Sequence, residues 1–161
     1  MAEMPPAAGE YAPNFELQAH PASVVALAGL RGRTVVLYFY PKADTPGCTT
    51  EACDFRDRVG DFVEAGAVVL ACSPDPLRKL ARFAAKHELP FQLLSDPDHS
   101  VAEAYGVWKE KTFMGRKYMG VERSTFVIGP DGVVLHAYVK VSVTGHAQAV
   151  LRAVTGDGDG G

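Results

Sequence analysis

Two stretches of the chain, residues 34–40 and 67–73, are apolar on both alternating sets of positions and rich in Val, Leu, Tyr and Phe. That pattern predicts strands covered on both sides, the first fenced by Arg31-Gly32 and Pro41. Between them Ala52, Phe55 and Val59 recur at helical spacing, predicting a helix over 48–59 that Gly60 breaks. Asp61 then caps a further turn through Glu64, and Gly66 ends it. Asp75-Pro76 reads as cap and first helical residue of a segment with Leu77, Leu80, Ala81, Ala84 and Ala85 on one face, stopping before Pro90. A short strand over 91–94 and a short helix over 100–105, stopped by Gly106, follow. Strands over 122–128 and 133–139 meet through Gly129-Pro130-Asp131-Gly132, a hairpin signature, and a helix over 145–154 closes the pattern. Upstream, 14–18 and 23–26 read as two short strands joined at His20-Pro21. Strands and helices alternating before a terminal hairpin define an α/β fold: a mixed sheet with helices on both faces and an N-terminal hairpin.

Composition narrows the class. With 161 residues, 47% hydrophobic and 22% charged, the chain has material for one core, so 1–161 is read as one domain with an ordered part over about 11–154. The Ala-, Pro- and Gly-rich arm 1–13 and the Gly/Asp-rich end 155–161 read as loose. Sixteen basic residues are interspersed with nineteen acidic ones for a net charge of -3, which argues against nucleic-acid binding. No apolar run approaches the ~18 residues that span a bilayer, and residues 1–12 lack the pattern of a secretory signal. The expected address is cytoplasmic, without membrane attachment. Three cysteines are too few for a disulfide-built scaffold, so they are to be read as chemistry or packing.

In an open α/β sheet the ligand site lies past the carboxyl end of a central strand, and that place holds Pro41-x-x-x-Thr45-x-x-Cys48. A thiol in the first turn of a helix meets unpaired N–H groups and the positive end of the macrodipole, which favour thiolate. Cys48 is therefore a candidate nucleophile. Thr45 can offer a hydroxyl at the same point, and Pro41 can screen the sulfur from water. The bland alternative makes Cys48 a small buried apolar residue and Thr45 a cap, but burial alone does not require Pro, Thr, Pro, Gly and Cys at one strand-to-helix junction. Cys53, five residues on, fits neither zinc nor dithiol C-x-x-C spacing. The histidines, His20, His87, His99, His136 and His146, are scattered and read as surface or satisfied residues; Cys72, in an apolar strand, reads as packing.

The run Tyr38-Phe39-Tyr40-Pro41-Lys42-Ala43-Asp44-Thr45-Pro46-Gly47-Cys48-Thr49-Thr50-Glu51-Ala52-Cys53-Asp54-Phe55-Arg56 closely resembles the peroxiredoxins, specifically the peroxiredoxin Q or bacterioferritin comigratory group. The likeness continues through Ser73-Pro74-Asp75, Leu94-Ser95-Asp96, Tyr105-Gly106-Val107-Trp108 and Glu122-Arg123-Ser124-Thr125-Phe126-Val127-Ile128. It implies a thioredoxin-like fold and a thiol peroxidase for hydrogen peroxide and organic hydroperoxides that needs no cofactor and no metal. It further implies Cys48 as peroxidatic cysteine, Thr45 as substrate-orienting hydroxyl, Pro41 as shield, Arg123 as active-site arginine and Cys53 as intrachain resolving cysteine. Thioredoxin or a similar dithiol is the expected reductant, and a monomer the expected state. Read without the resemblance, Arg123 is an ordinary ion pair with Glu51 or Glu122, and Glu51 either complements the helix start or orients Arg123. Trp108, Phe113 and Tyr118 either wall the site or pack elsewhere. Cys72 stands where a small or aliphatic residue is expected, which opens a second resolving route. The rival functions are a general dithiol oxidoreductase, which needs a C-x-x-C at Cys48, and a non-enzymatic thiol redox sensor. Residues five apart on a helix are offset by ~7.5 Å along the axis and about 140° around it, so pairing Cys48 with Cys53 requires the first turns to unwind.

Overall fold

A computed structural model of the chain describes residues 4–156. In chain order the strands are β1 (Glu16–His20), β2 (Val24–Ala26), β3 (Thr34–Phe39), β4 (Ala67–Ser73), β5 (Gln92–Ser95), β6 (Trp108–Phe113), β7 (Arg116–Val121), β8 (Ser124–Ile128) and β9 (Val134–Val139). The helices are α1 (Pro46–Arg56), α2 (Val59–Glu64), α3 (Leu77–His87), α4 (Ser100–Ala104) and α5 (His146–Thr155). Seven strands form one sheet in the order β2-β1-β5-β4-β3-β8-β9. β3 lies inside it, parallel to β4 with Phe39 opposite Cys72, and antiparallel to β8 with Phe39 opposite Ser124.

This register explains why β3 reads as apolar on both sets of positions. Val36, Tyr38 and Tyr40 face one core with Ala52 and Phe55 of α1, Phe62 of α2, Leu80 and Phe83 of α3, and Ala147 and Val150 of α5. Val35, Leu37 and Phe39 face the other, with Phe15, Leu27, Tyr105 and Val101 and Ala102 of α4. Burying a side chain of this size contributes about 1.5–3 kcal/mol, so both faces are firmly specified. Sheet, helices on both faces and the β1–β2 hairpin agree with the expected fold class.

Several local expectations are corrected. The arm is not loose over residues 9–12: Gly9 N–H donates to Val134 O, Ala12 N–H to Gly132 O and Val134 N–H to Glu10 O, which seats the arm on the β8–β9 turn. The tract 157–161, expected to be loose, lies outside the described residues; α5 itself includes Thr155. α1 begins two residues earlier than the spacing predicts, because Pro46 suits the first helical position, and stops at Arg56. The break falls at Arg58, with φ -116° and ψ 7°, and not at Gly60, which lies within α2. Pro76 is extended and caps α3 from outside; the buried stripe is Leu80, Phe83 and Ala84, while Ala85, about 100° further round, is exposed.

The largest omission is β6–β7, an antiparallel two-stranded sheet separate from the main one. Its signal is present in sequence: alternating residues run up to Met114-Gly115, whose positive φ values of 52° and 80° make the two-residue turn that hairpin twist favours.

Candidate active site

β3 delivers the chain to the carboxyl edge of the sheet, where Pro41 lies exposed at the start of the loop leading to α1. Thr45, extended at φ -100° and ψ 158°, is the N-cap residue, and the first intrahelical bond runs from Thr49 N–H to Thr45 O at 2.8 Å. The N–H groups of Gly47 and Cys48 lie upstream of that bond, at the end of the helix where donors lack intrahelical partners. Cys48 is 1% exposed, with its thiol toward the core face shared by Tyr38, Tyr40 and Ala52.

Arg123, just before β8, reaches across to this point. Its Nη2 donates to Cys48 Sγ at 3.4 Å and its Nη1 donates to Glu51 Oε1 at 2.6 Å. One planar guanidinium thus spans the sulfur and a carboxylate one helical turn further on, a geometry that a lysine's single nitrogen cannot reproduce. The partner of Arg123 is Glu51; Glu122 instead stands 4.0 Å from Lys111 Nζ. A side chain at Gly47 would begin 3.2 Å from Arg123 Nη2, so the guanidinium passes through space that glycine leaves open.

Glu51 is 1% exposed, and its Oε2 has no hydrogen-bond partner among the described residues. Burial pushes its carboxyl up to about 7, with Arg123 opposing and Asp54 adding slightly. Its charge therefore changes near neutrality, and with it the hold on Arg123. Beside the pair, the buried Tyr38 hydroxyl also lacks a partner among the described residues; burial, then Glu51, raise its pKa and keep it protonated.

Of the expected residues, Arg123 hydrogen-bonds the sulfur itself. Thr45 Oγ1 donates to Lys42 O at 2.8 Å, so its one proton is committed within the loop while its lone pairs stay open. Pro41 and Arg123 line a cleft of about 230 Å³ with Lys111, Val121, Glu122, Lys140 and Val141. Lys111 and Lys140 were invisible as site residues in sequence, since a hairpin and a left-handed backbone at Lys140 (φ 64°) bring them there. Trp108, Phe113 and Tyr118 do not wall the sulfur: Trp108 stacks on His99 at 4.0 Å, and Phe113 and Tyr118 are exposed on the hairpin. His146, read as a satisfied residue, is buried with Nε2 at 2.7 Å from Thr125 Oγ1.

Cys48 and Cys53 are both free within the unbroken α1, with Cys53 half-buried. The third thiol, Cys72, is 0% exposed and belongs to the opposite core.

A buried thiol at a helix start beneath an arginine, on a sheet of this topology, defines a thiol-based oxidoreductase. The AhpC/TSA family model matches residues 8–137. The Bacillus subtilis protein "Peroxiredoxin Bcp" is 47% identical over 146 residues, which cover 91% of this chain and 93% of that protein. A Xanthomonas campestris peroxiredoxin Q structure superposes with a TM-score of 0.84 at 42% identity, covering 88% of this chain and 90% of the other. A Xylella fastidiosa PrxQ mutant gives a TM-score of 0.89 at 35% identity, covering 94% and 96%. The chain belongs to the AhpC/TSA family and is a peroxiredoxin of the Bcp/PrxQ kind, a thiol-dependent peroxidase.

Proposed function

We propose that Cys48 is the peroxidatic nucleophile, that Arg123 and the first N–H groups of α1 stabilise the charge it carries and displaces, and that Cys53 resolves the product. The contact of 3.4 Å between Arg123 Nη2 and Cys48 Sγ carries this reading. The Cys48 thiolate attacks one oxygen of the hydroperoxide in line with the O–O bond, forming S–O and expelling the other oxygen with the electron pair. That oxygen takes a proton and leaves as water or an alcohol, and Cys48 becomes a sulfenic acid. Preorganised donors matter most at the departing oxygen, where charge develops. Thr45 Oγ1 accepts the peroxide O–H through a free lone pair while its own proton remains on Lys42 O. Pro41 limits the entry of water at the cleft.

The Cys53 thiol then attacks the sulfenic sulfur, water leaves, and an intrachain disulfide forms. A disulfide needs Cα atoms within ~7 Å and convergent Cβ vectors, which an intact helix denies to residues five apart. The first turns of α1 unwind, helped by the weak helix formers Gly47, Thr49 and Thr50. Phe55 holds the far end: its ring stacks on Tyr38 at 4.6 Å and lies 5.8 Å from Phe62 and 6.1 Å from the His146 ring. The separation of the two cores argues against Cys72 as the resolving thiol. A dithiol, thioredoxin in this reading, returns the disulfide to two thiols. The same reading takes the chain as a single-domain monomer of the cytoplasm, free of nucleic acid and membrane; no helix among the described residues is long and apolar enough to cross a bilayer.

The test is a coupled assay in which hydroperoxide drives thioredoxin oxidation. Many turnovers per chain are expected from the wild type, and from Cys53→Ser a single fast oxidation with loss of most subsequent turnover. A wild type that stops after one oxidation is a sensor and overturns the reading.

A further inference from the structure

The β6–β7 hairpin leaves more apolar surface bare than any packing need explains: Phe113 is 68% exposed, Met114 86%, Tyr118 49% and Met119 50%. Its register sorts these residues between two faces. Lys111 lies opposite Tyr118 and Phe113 opposite Arg116, and alternation puts Lys109 on the same side. One face of the ribbon thus carries Lys109, Lys111, Phe113, Arg116 and Tyr118: three cations and two aromatic rings, of which only Lys111 has a carboxylate near it among the described residues, Glu122 at 4.0 Å, on a chain whose net charge is -3. That face approaches the site through Lys111, which lines a cleft with Pro41 and with Arg123, whose Nη2 stands 3.4 Å from Cys48 Sγ. The opposite face turns Trp108 and Val121 inward, against the core behind β3 and β8.

We infer that this Lys109–Lys111–Phe113–Arg116–Tyr118 face docks the protein dithiol that reduces the Cys48–Cys53 disulfide, a partner with an acidic rim around an apolar patch at its reactive thiols. Aromatic side chains and arginine are enriched where proteins meet, lysine fits the polar rim of such a patch, and the excess of positive charge selects an acidic surface. The position suits the chemistry. A thiolate of the partner must attack one sulfur of the disulfide, forming a mixed disulfide and releasing the other sulfur as a thiolate. The partner's second thiol then displaces the first, leaving the partner oxidised and both cysteines reduced. A surface at the edge of the cleft steers that encounter without occupying the peroxide's own path.

The inference rests on the proposed Cys48–Cys53 disulfide, and the test separates the two. Steady-state peroxide reduction is measured with thioredoxin as the protein dithiol and with dithiothreitol as the small one, for the wild type, the double variant Lys109→Glu/Arg116→Glu and the variant Phe113→Ser. The expected result is a fall of about tenfold or more in the ratio of thioredoxin-supported to dithiothreitol-supported kcat/KM for the charge-reversed chain, with a smaller fall for Phe113→Ser. The thioredoxin rate of the wild type is expected to drop as salt rises, and that of the charge-reversed chain is not. A ratio within twofold of wild type in both variants overturns the docking face while leaving the disulfide chemistry standing. Failure of the wild type to lose two thiols and form a Cys48–Cys53 disulfide on adding one equivalent of hydroperoxide, read by thiol counting and peptide mapping, overturns the underlying disulfide reading instead. An unchanged ratio together with binding of the wild type, but not of the charge-reversed chain, to phosphatidylglycerol vesicles would replace the protein partner with a lipid surface.

Discussion

Cys48 and Cys72 are equally sealed, at 1% and 0% exposure, yet they sit on opposite faces of one sheet in opposite electrostatic company. Cys48 has a guanidinium nitrogen at 3.4 Å and the start of an eleven-residue helix beneath it. Cys72 lies near the end of β4, in one apolar cluster with Phe39, Leu94 and Val101; burial first, and then Asp96, push its thiol up and hold it neutral. Exposure therefore does not distinguish these thiols. What distinguishes them is whether burial comes with a compensating positive charge and orphan N–H donors, the features that favour a reactive thiolate.

The most severe way to break the contrast is Cys48→Ser. It is expected to abolish peroxide reduction, since a serine hydroxyl is not ionised at neutral pH; residual turnover in the coupled assay would mean that another thiol does the work. Arg123→Met removes the charge that distinguishes the two environments. The second-order rate of oxidation by hydrogen peroxide, followed by stopped flow, is expected to fall about 100-fold, in the range for losing one preorganised donor.

Glu51→Gln sharpens the comparison through pH. In the wild type, lowering the pH through about 7 neutralises Glu51 and loosens its hold on Arg123, so peroxide attack should slow a few-fold below that point; the variant should lack this inflection. Stability moves the other way. Because the folded-state value of about 7 lies above the ordinary 4.5, the folded state binds more protons between the two, and wild-type stability falls as pH rises through that window. Denaturant titrations of both proteins at pH 5 and pH 8 check the sign: the wild type should lose more stability than the variant. The smallest effect is expected from Cys72→Ser, with thioredoxin-dependent turnover within twofold of wild type and a stability loss of about 1 kcal/mol from a hydroxyl in an apolar site. A collapse of turnover with folding intact would assign the resolving step to Cys72.

Much of this was legible in the chain because the relevant signals are local. The central strands announce themselves by having no polar side, and the 45–48 junction by crowding Pro, Thr, Gly and Cys after such a strand. Contacts made across the sheet were not legible. Arg123 and Glu51 are 72 positions apart, and sequence left the arginine's partner open between Glu51 and Glu122. The break after α1 was misplaced because glycine is a weak helix former and not an obligatory terminator; Gly60 is tolerated inside α2 while Arg58 takes the bent conformation. The β6–β7 ribbon was missed because its solvent-exposed faces mix lysine with aromatic residues and show no clean apolar side, and only the Met114-Gly115 turn betrays it.

Gly47 adds a requirement of a different sort, one for empty volume. A methyl group there would begin 3.2 Å from Arg123 Nη2, while that nitrogen already stands 3.4 Å from the sulfur, so the cation has little room to retreat without losing its contact. Position 47 therefore bears on the Arg123–Cys48 contact without contributing a functional group to it. Its tolerance to substitution depends on tenths of an ångström at a neighbour 76 positions away in the chain as well as on its own weak helical preference.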